Sequence, residues 1–187
     1  MERSSREWSG LECALHAGWL EPQWYVLFVR SNQEKRVVQH LASRSIEHFL
    51  PLWESVRHWQ DRKVKLLKPL FPGYVFVRLS LVDRLNALRV PNVLNLVGTK
   101  NAPAIVSDEE IGWIKTGLAY GQAEPYPYLQ DLKAGQVVLI KAGAMNGLKG
   151  TLVGIQNSTR VLVRINSISR AFAVEVEGSD LSVVQPA

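Results

Sequence analysis

Apolar and polar positions divide the chain into two stretches with different periods. The run Trp24-Tyr25-Val26-Leu27-Phe28-Val29 is aromatic and β-branched, which predicts a buried strand. Ser31 follows as a helix cap, and Glu34 three residues on completes a capping box. Val37, Val38, Leu41 and Ala42 then recur on one helical stripe, which should stop near Ser45. Residues 46–52 predict a second strand, ended by Pro51. Residues 56–59 and 64–67 flank the polar, basic stretch 60–63 and predict a hairpin. Pro69 and Pro72-Gly73 break the chain before another apolar strand at 74–79. Residues 81–89 predict a short helix, and 93–97 a strand closed by Gly98. Ser107 and Glu110 again have capping-box spacing, for a helix to about Ala119 whose Asp108, Glu109 and Glu110 lie at the end that favours negative charge.

Residues 120–131 hold Gly121, Pro125 and Pro127 among polar and acidic residues and predict a linker. Beyond it the pattern turns to strands only. Segments 136–141, 150–156, 160–166, 171–176 and 181–184 recur about every ten residues with Gly, Asn and Ser between them. So short a set of strands is expected to close into a small barrel, because closure removes exposed edges. Residues 1–22 show no clean period, although Leu11, Leu15 and Trp19 stand at near-helical spacing, and predict a flexible extension. The expected organisation is thus an extension (1–22), an α+β domain (23–119), a linker (120–131) and an all-β domain (132–187).

Composition narrows the class. Hydrophobic residues make up 47% and charged residues 21%, enough apolar material for a core. No apolar run reaches the roughly 18 residues of a membrane span. Glu7, Glu12 and Glu21 interrupt any leader-like segment, so a cytoplasmic location is expected. The lone Cys13 allows no internal disulfide. The net charge is +5, and residues 30–68 alone, with nine basic and four acidic side chains, carry an excess of that size. Such a local excess suits either a polyanion-facing surface or a plain solvated face. No phosphate loop or nucleophile motif occurs, and His16, His40, His48 and His58 lack neighbours at metal-ligand spacing. Neither an enzyme, a cofactor nor a metal is expected.

Several segments resemble the NusG family of transcription factors. Trp24-Tyr25-Val26-Leu27 followed by Gln33-Glu34-Lys35 looks like the opening strand and helix of its N-terminal domain. Pro69-Leu70-Phe71-Pro72-Gly73-Tyr74-Val75-Phe76-Val77 looks like that domain's most recognisable segment. Gly135-Gln136-Val137-Val138-Leu139-Ile140 and Gly143-Ala144-Met145-Asn146-Gly147-Leu148-Lys149-Gly150 are similar to a KOW motif. Order and separation match over about residues 24–185. The details, including Ala102-Pro103-Ala104-Ile105-Val106, look closest to the RfaH and capsule-operon antiterminator branch.

The resemblance implies an α+β N-terminal domain, an antiparallel sheet flanked by helices, followed by a small all-β SH3-like KOW barrel. It implies an elongation or antitermination factor, a monomer, docked on the clamp helices of the largest subunit of RNA polymerase and touching upstream or non-template DNA. The barrel would recruit ribosomal protein, Rho or neither. An RNA-binding KOW protein acting on ribosomes is the alternative, although it would not need the 71–76 segment.

Candidate residues follow. Tyr74 and Phe76, two apart on a strand, share a face. Periodicity alone would turn them to the core, whereas the resemblance implies a polymerase-binding pocket that Phe71 and Leu96 extend. Lys35, Arg36, His40 and Arg44 on the first helix, and Arg57, Arg62 and Lys63 on the hairpin, are the DNA-binding candidates. Trp59 could stack on a base or pin the hairpin to the sheet. In the barrel, family members carry Pro-Phe where this chain has Ala144-Met145, and an aromatic in the partner loop where it has Asn166-Ser167-Ile168-Ser169-Arg170. Ile168 and Arg170 are the substitute partner-binding candidates.

Overall fold

Alternating side-chain direction along two central strands organises the N-terminal domain. The computed structural model describes residues 20–59, 62–99, 102–119, 123–126, 137–155 and 158–184. The proposed extension therefore lies almost entirely outside the described residues, as does most of the proposed linker. Strand β1 (Gln23–Val29) pairs antiparallel with β5 (Tyr74–Leu79). On their outer sides stand β6 (Val93–Leu96) and β2 (Glu47–Phe49), giving the order β2-β5-β1-β6. Tyr25, Leu27, Val29, Val75 and Val77 point to one face and are buried. That face is covered by α1 (Glu34–Ser43), through Val37 and Leu41, and by the region of α2 (Arg84–Leu88), through Ala87 and Val90. Trp24, Val26 and Phe76 point to the opposite face, onto Ile111 and Ile114 of α3 (Asp108–Ala119).

Strands β3 (Leu52–Trp59) and β4 (Arg62–Pro69) form a separate two-stranded ribbon, longer than the apolar pattern predicts because ladder pairing continues from Leu52↔Pro69 to Trp59↔Arg62. The second capping box forms as expected: Glu110 N donates to Ser107 Oγ at 3.1 Å, and Ser107 N to Glu110 Oε2 at 3.0 Å. The first does not. Helix α1 starts at Glu34 with no side-chain cap, and the Glu34 carboxylate instead accepts the Gly73 N–H at 2.8 Å. Gly73 adopts φ +84° at the turn into β5, a conformation that favours glycine. Glu34 is only 3% exposed. Glu34→Ala would strand the turn's N–H in a buried site, and we expect a loss of about 1–3 kcal/mol in denaturant unfolding. An unchanged midpoint would show that the bond does not hold the turn.

The C-terminal part contains the five expected strands: β8 (Val137–Ile140), β9 (Lys149–Ile155), β10 (Ser158–Ile165), β11 (Arg170–Glu175) and β12 (Leu181–Val183). A sixth, β7 (Glu124–Tyr126), comes from the segment expected to be a linker and pairs with Ala171–Ala173 of β11. The order is β12-β8-β9-β10-β11-β7. Gly150 is required by close packing, since a Cβ there would stand 2.4 Å from Val161 Cγ1 and 2.6 Å from the Leu162 carbonyl oxygen.

Candidate functional site: an apolar face shared by two domains

The larger buried cluster joins the two domains. Trp24, Val26, Phe71, Phe76, Ile111 and Ile114 of the N-terminal domain lie in one continuous set with Val138, Ile140, Met145, Leu148 and Phe172 of the barrel. Three contacts among the described residues mark the junction. Phe71 meets Phe172 edge-on, with ring centroids 6.3 Å apart and planes at 69°, a favourable aromatic geometry. The Arg170 guanidinium stands 5.9 Å from the centre of the Tyr74 ring, within cation–π range. Gly117 on α3 provides the close approach: a Cβ there would lie 3.0 Å from Met145 Cε, 3.2 Å from Ala123 Cβ and 3.3 Å from Phe172 Cε2. The segment before β7 also takes part, since Ala123 is buried and its N–H donates to the Gly117 carbonyl at 3.1 Å.

The expected polymerase-binding residues divide three ways. Tyr74 and Phe76 do share a face, as their spacing predicts. Phe76, however, is fully buried, with Phe49 at 6.0 Å and Phe71 at 6.1 Å, so it supports the patch from below and is not exposed for contact. Phe71 is 2% exposed with the barrel in place. Tyr74 stays half-buried, with Arg170 on its ring and Phe28 5.6 Å away. Leu96 does not belong to this patch. It pairs with Leu27, and both point to the α1 face of the sheet. Register across β1 decides this, and spacing along the chain could not reveal it.

The barrel candidates are corrected in part. Ile168 is not an exposed anchor, because the helical turn Asn166–Ile168 tucks it into the core at 5% exposure. Arg170 is exposed but turned to Tyr74. Met145, which stands where the family has an aromatic, packs at the junction. Sequence reading missed Phe28, Phe49, Gly117 and Phe172. Phe172 carried a weak signal, a large ring between Ala171 and Ala173 on a strand of otherwise modest side chains.

The basic candidates are scattered. Lys35 Nζ donates to the Leu67 carbonyl at 3.0 Å and braces the ribbon. Arg36 reaches Gln33 at 3.4 Å, His40 is exposed, and Arg44 Nη1 donates to the Asn86 carbonyl at 2.7 Å. Arg57, Arg62 and Lys63 stand on β3 and β4, but their side chains, and that of Trp59, lie outside the described residues. Val82 and Leu85 on and before α2 are more than half exposed. Among the described residues no His, Cys, Asp or Glu group is arranged to hold a metal, and no helix is long and apolar enough to cross a membrane.

Comparison with known proteins fits this architecture. The chain is similar to transcription termination/antitermination protein NusG of Vibrio vulnificus, 29% identical over 168 residues that span 83% of this chain and 92% of the relative. It is also similar to the protein of that name from Pasteurella multocida, 27% identical over 85% of this chain and 93% of the relative. The Rickettsia felis protein is 24% identical over 82% and 86%. Among solved structures, one described as domain interaction in Thermotoga maritima NusG shares the fold, with a TM-score of 0.58, 24% identity, 90% of this chain covered and all of that one. The family model described as transcription termination factor NusG matches residues 22–115, from the start of β1 into α3, which is half of the sequence. On that match, carried by the sheet that holds the Phe71–Phe76 segment, the chain belongs to the NusG family of transcription termination and antitermination factors.

Proposed function

We propose that the Phe71–Tyr74 face of the N-terminal domain grips the clamp helices of RNA polymerase, suppressing pausing or termination, and that the barrel docks on the same face when polymerase is absent. The observation that carries this reading is the Arg170–Tyr74 and Phe172–Phe71 pair of contacts. The first joins an expected partner-binding residue of each domain, and the second seats Phe172 of the barrel on Phe71, an expected polymerase-binding residue. An aromatic patch shaped to accept an apolar surface suits a helix pair as well as the barrel. Because both occupants need one surface, they compete, and the docked fraction lowers the apparent affinity for polymerase.

In this reading residues 23–119 form the polymerase-binding domain and 132–187 the partner-binding barrel. Release from Tyr74 frees Arg170 for a ribosomal protein or Rho. DNA contact falls to the exposed His40, Arg36 and the β3–β4 ribbon, where phosphate binding would weaken steeply with salt. The Ala102–Val106 run, which pins Val106 N to the Trp24 carbonyl at 2.9 Å, supports a place among the specialised antiterminators.

The test is transcription by purified polymerase on a template with a defined pause. The protein should shorten the pause. Tyr74→Ala should weaken polymerase binding by about 1–3 kcal/mol, the cost of an aromatic contact at an interface. A protein that leaves the pause unchanged and captures ribosomal RNA instead would establish the ribosomal alternative.

A further inference from the structure

Strand β7 and the residue before it tie the chain to both domains at once. On one side Ala123, 5% exposed, donates its N–H to the Gly117 carbonyl of α3 at 3.1 Å. On the other, Glu124, Pro125 and Tyr126 pair antiparallel with Ala173, Phe172 and Ala171 of β11. That strand also carries Arg170 and Phe172, whose side chains meet Tyr74 and Phe71. Both attachments are slight. The ladder is three residues long. Its middle residue is a proline, which has no N–H to donate and is tolerated because β7 is an edge strand. The bond to α3 leaves from Ala123, which stands in the same tight space beside Gly117 as Met145 and Phe172.

The place of β7 fixes how far the barrel can travel, because an extended chain spans at most about 3.3–3.6 Å per residue. While β7 stays in the barrel sheet, five steps of chain join Ala119, the end of α3, to Glu124, a reach of about 17 Å. Once β7 leaves β11, eighteen steps join Ala119 to Val137 at the start of β8, a reach of about 60 Å. Chain length alone sets both limits. We propose that β7 is a strap with two settings. Paired with β11, it holds a released barrel beside α3; peeled, it gives the barrel its full reach. The proposal rests on the reading that the barrel leaves the Phe71–Tyr74 face, and it divides that release into two steps. In the first, Ala123 parts from Gly117 and the barrel moves off with β7 attached. In the second, the ladder opens. A short tether keeps the barrel concentrated near its face and favours its return, and a long one dilutes it.

The test locks the strap in the full chain. Opposed residues of an antiparallel pair have Cα atoms about 4.5–5.5 Å apart, within disulfide range. Glu124→Cys with Ala173→Cys can therefore join β7 to β11, with Cys13→Ser to remove the native thiol. Tyr126→Cys with Ala171→Cys is a second, independent lock. Each is combined with Gly117→Leu, which crowds the junction apart, and small-angle scattering is recorded oxidised and reduced. The largest interatomic distance should be greater in the reduced protein, by up to the roughly 40 Å that separates the two reaches. Equal extension in both redox states overturns the strap and leaves barrel release standing. Parental dimensions in both states overturn barrel release and the strap with it.

Discussion

Gly117→Leu is expected to separate the barrel from the N-terminal domain while leaving both folded. Gly117 is buried on α3, and even a methyl group there would press on Met145, Ala123 and Phe172 at 3.0–3.3 Å. A leucine adds three more carbons to a space with no room for them. Overpacking of this kind costs about 1–3 kcal/mol. It need not be absorbed inside either core, because two of the three crowded side chains belong to the barrel and can move away with it. The helix itself gains, since leucine favours helix over glycine by close to 1 kcal/mol. Small-angle scattering should show a larger radius of gyration for Gly117→Leu with unchanged far-UV dichroism. Gly112→Ala, on the same helix with open space around the site, is the control and should leave the dimensions unchanged. A Gly117→Leu protein of parental dimensions would mean that the junction tolerates the bulk and that the docking is not as tight as the packing indicates.

The second large effect concerns Phe76. Its ring is fully buried between Phe49 and Phe71, on a strand covered on both faces. Phe76→Ala should therefore destabilise the N-terminal domain by about 3–5 kcal/mol, as removal of a buried phenyl ring generally does. That is a large share of the 5–15 kcal/mol by which a domain of this kind is usually stable. Tyr74→Ala should cost much less, because Tyr74 is only half-buried. Chemical denaturation of both variants separates the roles: Phe76 as core, Tyr74 as contact. Equal and small losses would return Phe76 to the surface and reopen the expectation that it grips a partner directly.

These two residues also mark what the chain's pattern could and could not reveal. Strand β5 and helix α3 match expectation because local signals define them: a proline-glycine break before Tyr74, and a Ser107–Glu110 box before an apolar stripe. All five barrel strands follow from alternation and turn residues. What failed depended on distant partners. Glu34 has capping-box spacing from Ser31, yet its carboxylate serves Gly73, thirty-nine residues away. Leu96 looks like a patch residue until the β1–β6 register turns it to the other face. The supposed linker reads as polar and proline-rich, but Glu124–Tyr126 finds the free edge of β11 and becomes a strand. Above all, no periodicity along one domain announces that another domain covers it. The apolar face was legible; its occupant was not, because Phe172 and Arg170 reach Phe71 and Tyr74 across about a hundred residues of chain.

Affinity for a fragment of the polymerase clamp helices, measured side by side for the parent chain and Gly117→Leu, tests the account most directly. If the barrel and the clamp helices compete for the Phe71–Tyr74 face, opening the junction should tighten binding by roughly 5- to 150-fold, the factor that 1–3 kcal/mol of lost docking energy represents. Equal affinities, or weaker binding by the opened variant, would contradict it: the face under the barrel would then not be the one that polymerase holds.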